Sequence, residues 1–328
     1  MARIAPTTVL NKPVGPIGYG LMGFNRPWAP VEYPVAAKVM KTALEQGANF
    51  WNGGLFYGTP TANSLHLLNY YFTQYPEDAD KVVLSIKGAY SSLTYTPTGT
   101  PEGIRASVDE ALRILDGVKK IDIFECARVD PEVPIETSIA ALGELVKEGK
   151  IGGIGLSEVS AATIRRAHAV HPIASAEIEL SLFTTDPIEN GILDACHELN
   201  IPLIAYSPLG RGFLTGQFRK YEDLPESDMR RRFPRFAPDA FDNNFKLVEA
   251  VERVAERKNV TVAQVAIAWV RAQGAIPIPG ATTEKRVLEN FEAVDLSEQD
   301  VGEIQAVLET VVVKGERYGG VFEKLLNQ

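Results

Sequence analysis

Two side chains thirty positions apart could do chemistry together. The stretch "ANFWNGGLFYG", Ala48 to Gly58, carries Tyr57 at the end of a glycine-rich segment that follows an apolar run. "VVLSIK" carries Lys87 at the end of another apolar run. A free phenol is a poor acid and a poor base near neutrality, with a pKa of about 10. An ammonium group held beside it favours the phenolate and lowers that pKa. Tyr57 is either a proton donor at the mouth of a barrel or a loop aromatic that follows two glycines. Lys87 is either a solvated strand terminus or a charge pointed into that mouth, where it needs a partner or a task.

Elements that could position such residues are visible in the hydrophobic pattern. Eight short apolar runs recur: "IGYGLM", "NFWN", "VVLSIK", "IDIFECA", "IGGIGLS", "IASAEIE", "IPLIAYS" and "AIPIPG". Helix-like segments separate them. "PVAAKVMKTALEQG" opens on Pro34 and stops at Gly47, the asymmetry of helix ends. "TPEGIRASVDEALRILDG" puts Ile104, Val108, Leu112 and Leu115 on one face. "IETSIAALGELVKEGK" ends at Gly149 with lysines in its last turn, where cations suit the helix dipole. Strand–helix alternation predicts parallel strands with crossover helices. Eight units without a linker favour a single-domain α/β (β/α)8 TIM barrel over an open doubly wound sheet. The barrel is expected to span 1–328, with an N-terminal extension over about 1–15 and a long active-site loop over about 207–241. In such a fold the loops after the strands carry the chemistry.

Composition narrows the function classes. The chain has 328 residues, 45% of them hydrophobic, enough for a large core. Its net charge of −9 argues against nucleic acid, which is bound by basic surfaces. The local exception is "MRRRFPR", Met229 to Arg235, read either as a solvated loop or as a cover near an anionic cofactor. Two cysteines, Cys126 and Cys196, are too few for a disulfide framework. No long apolar run or signal-like N-terminus stands out, so no membrane partner and a cytoplasmic location are expected. His168 and His171 are read as a surface pair at a helix end, and no metal site is expected.

"GYGLMG" matches G-x-G-x-x-G through Gly18, Gly20 and Gly23. A dinucleotide-binding turn must open directly into a helix. "FNRPWAPVEYP" follows instead, so the pattern is read as the first barrel strand and its exit loop. In "GKIGGIGLSE", small residues are expected to let a strand pack closely or a ligand approach the backbone.

The segments "IGYGLMG", "ANFWNGGLFYG", "VVLSIK", "DIFECARVDP", "IGGIGLSEVS", "AYSPLGRGFLTG" and "IPIPGATTEKRVLENF" together resemble the aldo-keto reductases, in order and over nearly the whole chain. The "FWNGGxFYG" and "FxCARVDP" spellings are most similar to the fungal pyridoxal reductase branch. The resemblance implies NADPH-dependent hydride transfer to a small-molecule aldehyde, with pyridoxal reduced to pyridoxine the leading case. A general aldehyde or aryl-alcohol reductase, and a slow NADP(H)-binding sensor, are the alternatives. It makes Tyr57 the proton donor and Lys87 its neighbour. It also makes Ser157 and Glu158 the pair that holds the nicotinamide carboxamide, with Glu177 at the end of the sixth strand. Tyr206 becomes the stacking aromatic, and Ser207, Leu209, Gly210, Arg211 and Gly212 the pyrophosphate wrap. Gly280, Thr282, Arg286, Glu289 and Asn290 fall at the adenosine end, and Arg286 with Lys285 suggests a 2′-phosphate. Met22, Trp51, Arg128 and the loop aromatics Phe233, Phe236 and Phe241 are candidate substrate contacts. Arg128 is read equally as a partner of Asp130.

Two departures from the family pattern are plain. Asn52 stands where the family usually has an aspartate paired with the lysine. Its amide can still orient Lys87 by a hydrogen bond but brings no charge. The field at Tyr57 is then less cancelled while Lys87 loses a stabilising charge, and the net sign is left open. Ala127 stands where the family has a histidine that orients the carbonyl.

Overall fold

The computed structural model describes residues 7–91, 93–94 and 96–328. All eight apolar runs form strands: β1 Tyr19–Gly20, β2 Phe50–Gly54, β3 Val83–Gly88, β4 Ile121–Cys126, β5 Ile151–Ser157, β6 Ile173–Glu179, β7 Leu203–Tyr206 and β8 Ile276–Pro277. They lie parallel, each beside its neighbour in the chain. The Gly18 and Gly20 N–H groups donate to the carbonyls of Pro277 and Pro279 at 2.9 and 3.2 Å, joining the first strand to the last. A Cβ on Gly18 would stand 2.8 Å from the Phe50 carbonyl oxygen, so the seam closes only on glycine. A short turn over Met22–Asn25 follows β1, and the first long helix begins at Tyr33. The glycine pattern there is therefore strand and exit loop, as its prolines require.

Amphipathic helices form the outer layer. Tyr33–Glu45 begins with proline in its first turn and ends before Gly47, whose φ of 85° takes the left-handed turn. Pro101–Leu115 is capped by the Thr100 hydroxyl and buries Ile104, Val108 and Leu115. No helix among the described residues is long and apolar enough to cross a membrane.

Inside the barrel the two-residue period of the strands sorts side chains into layers. Phe50, Val83, Ile123, Ile204 and Ile276 make the apolar floor, joined by Ile278 and by Val9. Val9 belongs to a hairpin, Thr8–Val9 with Lys12–Pro13, that covers the strands' N-terminal ends. Lys12 anchors it to Asp122 at 2.6 Å. Two residues further along each strand, Asn52, Ser85 and Glu125 replace hydrocarbon with polar groups.

The same period corrects one expectation. With Phe50 and Asn52 inward, Trp51 faces the helices. It is fully buried against Tyr19, Tyr71 and Phe72, and its indole N–H donates to the Ala48 carbonyl at 2.7 Å. Trp51 is a core residue that faces away from the barrel interior.

The long connection after β7 is a chain of short turns that ends where helix Pro238–Lys258 begins, so Phe241 is helical. Phe236 and Phe241 pack on Phe213 and are buried. The arginine run is pinned in place. Arg230 pairs with Asp228, Arg231 donates to the Leu224 carbonyl, and Arg235 donates to Gly315, Phe183 and Thr184.

Trp51→Ala should cost about 3–5 kcal/mol through the cavity it leaves. Urea unfolding would read that as a lower midpoint at unchanged slope.

Candidate active site

At the C-terminal end of the barrel, β3 turns Lys87 inward until it is only 3% exposed. Its Nζ lies 3.1 Å from Glu125 Oε1 and 2.6 Å from Glu177 Oε1. Asn52 Nδ2 donates to Glu125 Oε1 at 3.1 Å and to Glu177 Oε2 at 2.6 Å, tying the two carboxyls together. Ser85 Oγ donates to Glu125 Oε1 at 3.1 Å. Burial alone would push the ammonium's pKa down; Glu125 and Glu177 outweigh it and hold Lys87 above its ordinary value. Glu125 and Glu177 therefore supply the counter-charge that the missing aspartate would, and the Asn52 amide orients the two carboxyls rather than Lys87. Glu125 was missed in the sequence, although a lone acid inside "IDIFEC" is a signal: a carboxylate in a buried strand needs a partner.

Tyr57 sits in the loop after β2, half-buried, where the field of Lys87 is the largest charge effect on its phenol. A Cβ on Gly54 would stand 3.2 Å from the Tyr57 ring, so glycine there lets the ring fold back over the strand end. Burial raises the phenol's pKa, and Lys87 lowers it. Glu177 and Glu125 raise it again, Arg128 opposes them weakly, and the net shift is upward. Tyr57 is thus held as a neutral phenol, the form that can give up a proton. Arg128 feels the fields of Tyr206, Tyr318, Glu158 and Tyr57. It makes no pair with Asp130, which instead accepts from the Gly99 and Glu132 N–H groups.

A second buried ion cluster closes the mouth. Arg317, from the C-terminal segment, is 6% exposed. Its Nη2 reaches Glu158 Oε1 at 2.9 Å, Glu179 Oε2 at 2.9 Å and the Tyr206 hydroxyl at 2.8 Å. The Tyr206 and Tyr318 hydroxyls are 3.2 Å apart. Glu158 also accepts from the Glu179 N–H at 3.0 Å. The chain end is pinned beside it, with the Gln328 carbonyl accepting from Ser160 N–H at 2.7 Å.

This arrangement corrects two expected roles. The carboxylates of Glu158 and Glu177 are committed to Arg317 and to Lys87 with Asn52, so neither side chain is free for a carboxamide. Ser157 differs: its hydroxyl is buried without a hydrogen-bond partner among the described residues. An orphaned hydroxyl at this rim fits an amide ligand. Glu158, Ser207 and Arg211 hold left-handed φ values of 53°, 51° and 57°. Such backbone is uncommon outside glycine and clusters at functional sites.

Further out, cations converge. Burial first, then the fields of Arg230, Arg286 and Arg211, hold Arg26 below its ordinary pKa against the opposing charge of Asp228. Arg230 Nη1 donates to the Arg211 carbonyl at 3.0 Å. The Arg211 guanidinium itself lies over the rings of Phe233 and Tyr318, with centroids at 4.4 and 4.6 Å. Ser207, Leu209, Gly210 and Gly212 form the tight turn beneath, through N–H bonds from Gly210 to Ser207 and from Gly212 to Leu209, both 2.9 Å. A Cβ on Gly23 would meet Thr282 at 3.1 Å, which brings the β1 exit loop against the segment after β8. Gly280 and Arg286 are exposed there, Glu289 is half-buried and Asn290 buried, while Met22 is exposed on the β1 exit loop. Arg26 was missed in the sequence, because only the fold brings it to Arg286; Arg230 belongs to the run read either as a solvated loop or as a cover near an anionic cofactor.

Residues 16–309 match the model of the Aldo/keto reductase family. A Schizosaccharomyces pombe protein named "Probable pyridoxal reductase 2" is 45% identical over 96% of this chain and 97% of its own length. Another from that yeast, aldo-keto reductase yakc, whose name specifies NADP(+), is 37% identical over 94% and 92%. Among solved structures, a glycerol dehydrogenase from Gluconobacter oxydans superposes with a TM-score of 0.81 at 23% identity, covering 95% of this chain and 96% of that one. It speaks for the fold.

Arg317→Met should destabilise the protein by about 3–5 kcal/mol, because it strands two buried carboxylates. Denaturant unfolding near neutral pH would measure the loss.

Proposed function

The chain belongs to the aldo/keto reductase family, and from that premise we propose that it is an NADPH-dependent aldehyde reductase acting on pyridoxal. The observation that carries the reading is a charged Lys87 at the barrel mouth whose field is the largest charge effect on the neutral Tyr57 phenol. The residues around it fit a nicotinamide dinucleotide. The unpartnered Ser157 hydroxyl suits the carboxamide, and Arg26, Arg211, Arg230 and Arg286 suit phosphates. The surplus of arginine beyond what a pyrophosphate needs favours a 2′-phosphate. The yeast relatives named for pyridoxal and for NADP(+) support the same substrate and cofactor.

A reduced nicotinamide supplies the hydride. The chain supplies the proton and the field. As the substrate carbonyl gains charge, Tyr57 gives its phenolic proton to the oxygen, and Lys87 stabilises the phenolate left behind. No histidine assists at position 127, where the alanine is 1% exposed. Pyridoxal supplies that assistance itself: its ring hydroxyl, ortho to the aldehyde, hydrogen-bonds to the carbonyl oxygen and polarises it before Tyr57 acts.

Tyr57→Phe should lower kcat for pyridoxal about 10²–10⁴-fold with NADPH affinity retained; stopped-flow absorbance and fluorescence titration would check both halves. A benzaldehyde lacking the ortho hydroxyl should be reduced with lower kcat/KM than pyridoxal, and equal efficiency removes the substrate-assistance step. Arg286→Ala should weaken NADPH about tenfold or more while sparing NADH, in keeping with a charge-assisted contact of about 1.5–3 kcal/mol. Equal losses for the two cofactors would count against the 2′-phosphate.

A further inference from the structure

The barrel interior holds more acid than its lysine can neutralise. Lys87 brings one positive charge to a chamber that contains Glu125 and Glu177, two potential negative ones. Asn52 and Ser85, the other polar groups of the layer, bring none. The chamber is closed to solvent: Asn52 is 2% exposed, Lys87 3%, Glu125 0% and Glu177 2%. An isolated surplus charge in such a place is expensive, and two carboxyls in contact behave as one titrating unit that resists double ionisation.

We propose that Glu125 and Glu177 share one proton and hold it in reserve for Tyr57, with Lys87 as the relay between them. The proposal rests on the reductase reading above and deepens it. Several features of the site agree with it. Asn52 Nδ2 clamps the two carboxyls onto a single amide, at 3.1 and 2.6 Å. Burial first, then the charge of Glu125 and a hydrogen bond with it, push Glu177 up to about 8 despite Lys87, so each carboxyl lies within the other's hydrogen-bonding reach. Gly155 makes room for Glu125: a Cβ there would stand 3.1 Å from Glu125 Cβ and 3.4 Å from its Oε2. An aspartate at position 52 would add a third negative charge to this chamber. The asparagine and the two glutamates are therefore one solution to one charge problem.

The proton count closes. After Tyr57 has protonated the carbonyl oxygen, a Lys87 N–H bond breaks and the phenolic O–H reforms. The shared carboxyl O–H then breaks and restores the Lys87 N–H. Both glutamates are now ionised against one ammonium, an unfavourable state that takes a proton from solvent when the site opens. One solvent proton is consumed per aldehyde reduced. The charged and titratable groups facing the pair are Lys87 from β3, Tyr57 from the loop after β2 and Cys126 at the end of β4. Glu158 and Glu179 are satisfied separately by Arg317.

Infrared difference spectroscopy on the full chain without cofactor tests this directly. Between about pH 6 and about pH 10 the wild-type protein should lose the carbonyl stretch of one protonated carboxyl and gain carboxylate bands, with a midpoint near the value of about 8 to which burial and Glu125 raise Glu177. Glu125→Gln and Glu177→Gln should each abolish that band entirely, because the remaining carboxylate pairs one to one with Lys87. A wild-type protein with no such band overturns the proposal without any variant. A band that persists at full intensity in both variants overturns it as well. Because nothing is turned over in this measurement, its failure leaves the reductase reading standing. A failure of aldehyde reduction would likewise leave the shared proton standing.

Discussion

An ammonium buried between two carboxylates is the constraint around which the mouth of this barrel is built. Lys87 cannot be left in the interior as a lone charge, since desolvation would neutralise it and remove its field from Tyr57. Glu125 and Glu177 keep it charged. Their own excess then sets the residues around them. Position 52 has to hold an amide that donates to both, and position 155 has to be small enough for the Glu125 side chain to stand upright. The apolar floor beneath, sealed by Val9, keeps water from entering through the other end of the barrel. Low dielectric on that side strengthens each of these interactions.

The rim repeats the same logic with the signs reversed. There one arginine serves two carboxylates, Glu158 and Glu179, and its side-chain partners come from the β5 exit loop, β6 and β7. Arg317 therefore couples the C-terminal segment to the strand ends. Tyr206 and Tyr318 extend the network by hydroxyl contact, and Arg211 stacks against Tyr318. The turn after β7, which holds the left-handed Ser207 and Arg211, is braced from above by the tail and not by its own hydrogen bonds alone.

Much of this was readable before any coordinates. Eight apolar runs gave eight strands because each run is short, is bounded by turn residues and alternates with a helical period. Tyr57 and Lys87 were findable because a strand-end lysine and a tyrosine after glycines are local signals. What could not be read lies in long-range pairing. Glu125 looked like part of a strand, and its partners are Lys87, Asn52 and Glu177, 38, 73 and 52 residues away in sequence. Arg317 sits in "KGERYGG", a stretch with no periodicity to place it. Trp51 was misread through its neighbour: adjacency in a strand puts two side chains on opposite faces, so a residue next to Asn52 had to point away from it. Glu158 and Glu177 were read as carboxamide contacts because a family role was carried to residues of different charge; their carboxylates pair with Arg317 and with Lys87 and Asn52.

The whole-chain charge of −9 and the arginine convergence at the rim look contradictory and are not. Net charge governs long-range steering and solubility, while a site is set by charges within a Debye length of about 8–10 Å. Arg26, Arg211, Arg230 and Arg286 come from the β1 exit, the long connection and the helix after β8, so only barrel closure brings them to one rim. The interior chamber by contrast carries surplus acid. An elongated ligand with an anionic end and a neutral end therefore has one favourable direction in this mouth. Under the proposed reductase reading, its phosphates would belong at the arginines and its neutral ring beside Ser157. The charge arrangement that keeps Lys87 charged would then also favour one orientation of such a cofactor.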